Sequence, residues 1–145
     1  MKKPDFRLEK VLQYRKSKET EAQKLLKTAL IKQEAEKKKL EFLQQEKNRT
    51  TAKIEHTESL NVQKKISQDR YLMYLNDCIS QQSEKVDTEN RRVQNERESV
   101  KEKRKDRKIL ATLKEKEEQT FKKTQRQKEQ KKLDEMAVSR FFQTT

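Results

Sequence analysis

Glycine and tryptophan are absent from the chain, and proline and cysteine occur once each, as Pro4 and Cys78. Without glycine, neither common phosphate-cradling loop can be built, because both need backbone that a Cβ would obstruct. Turns need Gly, Pro or clustered Asn and Asp to reach their dihedrals cheaply, so a fold of many elements lacks its punctuation. Pro4 stands at the start, where it suits the first turn of a helix. Cys78 has no partner for an internal disulfide, which agrees with a reducing compartment. Its ordinary role would be a small residue at a packing seam or its rim. The single histidine, His56, has no second His or Cys at a metal-ligand spacing, so no metal or other cofactor is expected.

Apolar residues are scarce as well. They make up 29% of the 145 residues while charged residues make up 43%, against about 45–50% apolar in an ordinary globular domain. Too few apolar side chains exist to fill a compact core. That leaves disorder or long helices with a narrow apolar seam. No stretch approaches the roughly 20 apolar residues of a membrane span, and MKKPDFRLEK has no apolar run behind its lysines. A cytoplasmic location is expected.

What is present favours helix. Lys, Glu, Gln, Arg, Leu and Ala dominate, and all are good helix formers. From Leu8 to Ile54, apolar residues recur at three- and four-residue steps: Leu8, Val11/Leu12, Ala22, Leu25/Leu26, Ala29, Leu40, Leu43 and Ile54. Gln33 and Glu36 fall on this stripe, a substitution that coiled coils tolerate at some cost in stability. Further on, Leu72 and Leu75 precede Ile79, Val86, Val93 and Val100, four apolar residues spaced by sevens. A strict seven-residue repeat implies left-handed supercoiling against another helix. After Val100 the phase drifts through Leu110, Leu113 and Phe121. No apolar residue occurs from Lys122 to Lys132, and Leu133, Met136, Ala137, Phe141 and Phe142 then return.

Between the two seams lies HTESLNVQKKISQDR, residues 56–70, where the charge pattern lapses and Thr, Ser and Asn compete with helix. The reversal belongs at about 57–67, with Ser67 available to cap the second helix. One unbroken helix would be ~215 Å long. The expected fold is therefore all-α: a long antiparallel two-helix coiled-coil hairpin in one unit, with helices at about 5–57 and 67–140. Position i then faces about 124 − i, which sets Leu8 opposite Glu115 or Lys116. Residues 121–145 form a basic overhang beyond the first helix.

The net charge of +13 is uneven. Residues 1–60 carry 16 Lys/Arg against 10 Asp/Glu, residues 61–100 carry 7 against 7, and residues 101–145 carry 15 against 8. A hairpin would gather both basic ends at its open end and leave the turn near neutral.

No catalytic constellation is visible. Carboxylates on a solvated helix face ordinarily pair with Lys at i+4, and a general acid or base needs a pocket to shift its pKa. An enzyme is not expected. Nucleic acid is the natural suspicion for a basic helix, but zipper-type readers place a dense basic block before a clean heptad zipper. Here KEKRKDRK, residues 101–108, comes after the clean heptads and is interrupted by Glu102 and Asp106. One apolar cluster exceeds the needs of a seam. In RYLMYLNDCI, Leu72, Leu75 and Ile79 fill the seam, and Tyr71, Tyr74 and Cys78 fall on its flanks. Tyr71, Leu75 and Cys78 share a stripe at i, i+4, i+7, which suits either partner docking or aromatic padding of the seam.

The opening FRLEKVLQYRKSKE, with Phe6, Leu8, Val11 and Leu12, resembles the start of the FliJ family of flagellar export proteins. The middle YLMYL is similar to that family's tyrosine-containing stretch. Leu113-Lys-Glu-Lys through Phe121, then KKLDEMA with Leu133-Asp134-Glu135 and Ala137, is similar to its C-terminal pattern, in which Tyr is frequent where Phe121 stands. The likeness covers nearly the whole chain.

The resemblance implies a non-enzymatic, stalk-like component of the flagellar type III export apparatus. FliJ-like proteins insert into the hexameric export ATPase and promote its assembly and activity. They also contact the cytoplasmic part of the export-gate membrane protein, and some bind export chaperones. On this reading Tyr71, Leu75 and Cys78 would meet the gate. Lys101, Lys103, Lys105 and Lys108, with Phe121, Leu133 and Met136, would meet the ATPase ring. The protein would sit at the inner face of the membrane through protein contacts alone. A structural coiled coil of another ATPase or secretion complex is the alternative, and a basic nucleic-acid binder is a third.

Overall fold

Sequence periodicity is strong enough to set both helices without a globular core. In the computed structural model, which describes residues 5–56 and 61–144, α1 spans Glu9–His56 and α2 spans Val62–Thr144. The helices pack against each other as an antiparallel hairpin, and the second is the longer. Several polar β-branched residues are accommodated within the helices by back-bonding. The hydroxyls of Thr28, Thr50, Thr88 and Thr120 each donate to the carbonyl four residues earlier.

The least exposed positions of α1 fall in two interleaved seven-residue rows. One runs from Leu8 through Arg15, Ala22, Ala29, Glu36 and Leu43 to Thr50. The other runs from Leu12 through Glu19, Leu26, Gln33, Leu40 and Lys47 to Ile54. In α2 one row holds Leu72, Ile79, Val86, Val93, Val100, Arg107 and Lys114, and the other holds Gln68, Leu75, Gln82, Glu89, Glu96, Lys103 and Leu110. Every one of these residues is buried or half-buried. The seam is therefore a genuine heptad interface in which about half of the positions are polar. A coiled coil with so many polar layers gives up burial energy and gains in specificity of register.

Val11 and Leu25, which share the apolar stripe of the first segment by sequence, lie beside the seam and are 39% and 57% exposed. Their neighbours Leu12 and Leu26 occupy it.

The reversal is shorter than the sequence implies. α2 begins at Val62 and not near residue 67, and its cap is Asn61 instead of Ser67. The Asn61 side-chain oxygen accepts from the Gln63 backbone N–H at 3.1 Å, and the Asn61 carbonyl accepts from the Lys65 N–H at 3.1 Å. That is N-cap geometry, and it leaves Ser67 inside the helix. α1 starts later than expected, at Glu9, whose N–H donates to the Phe6 carbonyl at 3.0 Å. Pro4 and positions 57–60 of the expected turn lie outside the described residues.

Tertiary contacts divide into two units. The first joins residues 1–19 to 102–145, and the second comprises residues 20–101. In the first, Lys114 Nζ lies 2.8 Å from a Glu9 carboxylate oxygen, one position from the expected partner 115. In the second, Gln33 Nε2 donates to Asn90 Oδ1 at 2.7 Å, and the Tyr71 hydroxyl donates to Glu46 at 3.4 Å. A turn centred on residue 62 would set Glu46 opposite Cys78. The Gln33–Asn90 and Glu9–Lys114 pairs keep close to that register, while the Tyr71 hydroxyl reaches Glu46 from nearer the turn.

Candidate functional site

Two features of this hairpin can serve a partner: the polar residues inside the seam and the side chains beside it. In the second unit Gln82, 7% exposed, donates from Nε2 to the Glu36 backbone carbonyl at 2.9 Å and to its carboxylate at 2.5 Å. That hydrogen bond, with the nearby Lys39 and Lys85, holds the Glu36 carboxyl below the ordinary glutamate pKa. Glu89, also 7% exposed, lies 3.4 Å from Lys32 Nζ and 3.8 Å from Arg92. In the first unit the Glu19 carboxylate is ion-paired with Arg107 and lies 3.6 Å from Arg104 Nε, while Arg15 donates to the Asp106 carbonyl at 2.8 Å. These side chains serve the fold through contacts across or along the seam, although one buried carboxylate oxygen of Glu89 has Arg92 at 3.8 Å and no hydrogen bond.

The flanks are unequal. Exposed apolar side chains cluster at positions immediately before a seam residue: Val11, Tyr14, Leu25 and Phe42 on α1, and Tyr71, Tyr74, Ile109 and Leu113 on α2. In an antiparallel pair, the residue preceding a seam position falls on the same side of both helices. The positions just after seam residues are mostly polar, with Leu30, Met73 and Ala111 as exceptions.

Of the residues expected to meet an export gate, Tyr71 and Cys78 lie on this flank, 41% exposed and half-buried respectively. Tyr71 and Tyr74 stack at 6.5 Å with a 26° interplanar angle. The neighbouring Cys78 thiol pushes the Tyr74 phenol above its ordinary value. Leu75, expected to fill the seam as well as to share this stripe, is 3% exposed and lies in the seam, which leaves Tyr71, Tyr74 and Cys78 as the side chains of the flank.

Among the residues expected to meet an ATPase ring, Lys101, Lys105 and Lys108 are exposed and Lys103 is half-buried in the seam. Phe121 is half-buried, and Leu133 and Met136 are 60% and 59% exposed. From Arg126 to Gln143 every side chain is exposed. Sequence reasoning misses Tyr14 and Ile109, at 61% and 63% exposed, which a count of positions preceding the heptad rows would find.

No cluster of three or more His, Cys, Asp or Glu side chains suited to a metal ion occurs among the described residues. No helix among them is long and apolar enough to cross a membrane. A surface depression of about 580 Å³ lies in the second unit between Lys32, Glu36, Gln81 and Lys85.

Comparison with curated proteins and with solved structures gives no match. A family profile described as the flagellar FliJ protein matches residues 3–145. A two-helix coiled coil with a polar-layered heptad seam, matched over nearly its whole length, thus belongs to the flagellar FliJ protein family, the coiled-coil component of the flagellar export apparatus.

Proposed function

We propose that the chain is the stalk-like, non-enzymatic component that binds the hexameric export ATPase, promotes its assembly and activity, and couples it to the export gate. The observation that carries this reading is the distribution of charge. The first unit holds 21 Lys/Arg against 11 Asp/Glu, net +10, whereas the larger second unit holds 17 against 14, net +3. A basic unit presented to an acidic ring interior gains in encounter rate and orientation. Lys105, Lys108, Phe121, Leu133 and Met136 of that unit are the contact residues, with Lys101 just beyond its edge. Lys103 contributes less, because half of it is committed to the seam. The Tyr71–Tyr74–Cys78 flank of the second unit is the surface for the export gate. Export chaperones are a further partner class, on the strength of family membership alone. The protein is held at the inner face of the membrane through these partners.

Exposed charges contribute little one at a time, so the test reverses several together. Lys101, Lys105 and Lys108 to Glu should lower stimulation of the purified ATPase several-fold and flatten its salt dependence. Full stimulation by a well-folded triple variant would move the contact elsewhere.

A further inference from the structure

We propose that the flank of the first unit formed by Val11, Tyr14, Ile109 and Leu113 is a docking groove for an acidic amphipathic helix of another protein. This deepens the reading of that unit as a partner-engaging element and rests on it.

The four side chains come from both helices and lie on one side of the seam. Val11 precedes Leu12, Tyr14 precedes Arg15, Ile109 precedes Leu110 and Leu113 precedes Lys114, and each of those four successors is a seam residue. Cross-seam bonds place them at the same level. Glu9 meets Lys114 at 2.8 Å and Arg15 reaches the Asp106 carbonyl at 2.8 Å, which brackets Val11 and Tyr14 against Ile109 and Leu113. They are 39%, 61%, 63% and 40% exposed, so the patch is open to a partner. A small depression of about 340 Å³ adjoins it, lined by Tyr14, Arg15, Lys18, Lys103 and Asp106, with the Lys18 ammonium 5.3 Å from the centre of the Tyr14 ring. Isolated exposed apolar residues are ordinary, but four on one flank of the seam, contributed at the same level by two helices, fit recognition of a third.

Charge selects the occupant. The apolar strip lies in a unit of net +10, and Arg7, Lys10 and Lys105 are exposed close by in the heptad. A second copy would bring +10 against +10, so self-association is opposed. An acidic helix with apolar anchors at i, i+3/i+4 and i+7 would neutralise this charge while covering the strip. The strip itself spans about one turn, from Val11 to Tyr14 on α1 and from Ile109 to Leu113 on α2, so two adjacent anchors of the partner helix would cover it.

The test uses the full chain and a labelled three-heptad peptide of repeating Leu-Glu-Glu-Leu-Glu-Glu-Glu, with a control of the same composition and scrambled order. Fluorescence anisotropy at physiological salt should show the ordered peptide binding at least about tenfold more tightly than the scrambled one. Tyr14→Ser with Ile109→Ser should remove most of that difference, and both positions are exposed enough that circular dichroism should be unchanged. Lys10→Glu with Lys105→Glu should weaken binding and reduce its salt dependence. Equal binding of the two peptides, or a double Ser variant that binds like the wild type, would overturn the proposal. So would a concentration-dependent dimer in sedimentation that the Ser substitutions abolish, because the occupant would then be a second copy. No ATPase is present in this experiment. Its failure would leave ATPase stimulation by the wild type untouched, and loss of that stimulation would leave peptide binding untouched.

Discussion

Glu19 on α1 and Arg107 on α2 are ion-paired inside the seam, 88 residues apart in sequence, with Glu19 only 7% exposed. Both occupy heptad positions where an apolar side chain would ordinarily stand. Removing one member of such a pair leaves the other uncompensated, whereas replacing both by apolar residues of similar volume is often neutral or stabilising. Glu19→Ala is therefore expected to destabilise the hairpin by about 1–3 kcal/mol, less than a fully buried pair because Arg107 is 28% exposed. Glu19→Leu with Arg107→Leu should be at least as stable as the wild type in urea unfolding. The double variant should also show more association in sedimentation, because polar layers restrict the choice of partner and register. If it unfolds more readily than Glu19→Ala, the pair contributes net stability and the specificity argument fails.

Acid should loosen the hairpin at two identifiable bonds. The hydrogen bond and charge of Lys114 hold Glu9 below the ordinary glutamate value of 4.5, with help from Gln13, and Gln82 does the same for Glu36. A carboxyl whose folded pKa is depressed contributes stability above the unfolded value, and that stability is lost as pH falls through the folded one. Melting temperature should thus decline as pH drops below about 4.5. At the other extreme, Glu9 raises Lys114 above 10.5, so that share persists below 10.5 and is lost as pH rises through the folded value. In a carboxyl NMR titration, Gln82→Ala should move Glu36 back up toward the ordinary value while Glu9 stays where it is. A Glu36 resonance unmoved by this change would remove Gln82 as the cause.

The start of α2 depends on one side chain. Asn61 caps the Gln63 N–H. Asn61→Ala should cost about 1 kcal/mol and Asn61→Gly only a few tenths. Amide exchange at residues 63–65 should speed up in the Ala variant while that at Val86–Val100 tracks only the global change. Equal stability of the Asn and Ala forms would show that packing, and not the cap, begins this helix.

The parts of this architecture visible in sequence are those written in apolar residues. Ile79, Val86, Val93 and Val100 repeat at sevens and mark one row of α2 directly. Between Leu75 and Leu110 the second row, through Gln82, Glu89, Glu96 and Lys103, is polar and carries no hydrophobic signal, although it is equally part of the interface. For that reason periodicity groups Lys103, a half-buried seam residue, with solvent-facing lysines. It also sets the turn late, because Ser67 and Asn61 are both competent caps and only the backbone shows which one is used. Polar seam partners such as Glu19 and Arg107 cannot be paired by periodicity, since any of several charges nearby could meet.

The final stretch of α2 should be dispensable for the stability of the hairpin and needed for binding. Gln125 is the last half-buried side chain, and from Arg126 to Gln143 the helix buries nothing against α1. A helical segment of that length whose side chains are all exposed is marginal in water, since propagation must offset nucleation with little burial. Hydrogen exchange should therefore be fast beyond Arg126 and slow from Ile79 to Val100, where Val86, Val93 and Val100 are buried. A chain ending at Gln125 should unfold in urea within about 0.5 kcal/mol of the full one, as expected when only exposed positions are lost. The same truncation removes Leu133 and Met136, which are exposed with no seam role. Stimulation of the export ATPase should fall several-fold. A truncated chain that stimulates fully would confine the ring contact to the lysines between 101 and 108 and to Phe121. A truncated chain that unfolds markedly more easily would show that the exposed segment supports the seam after all.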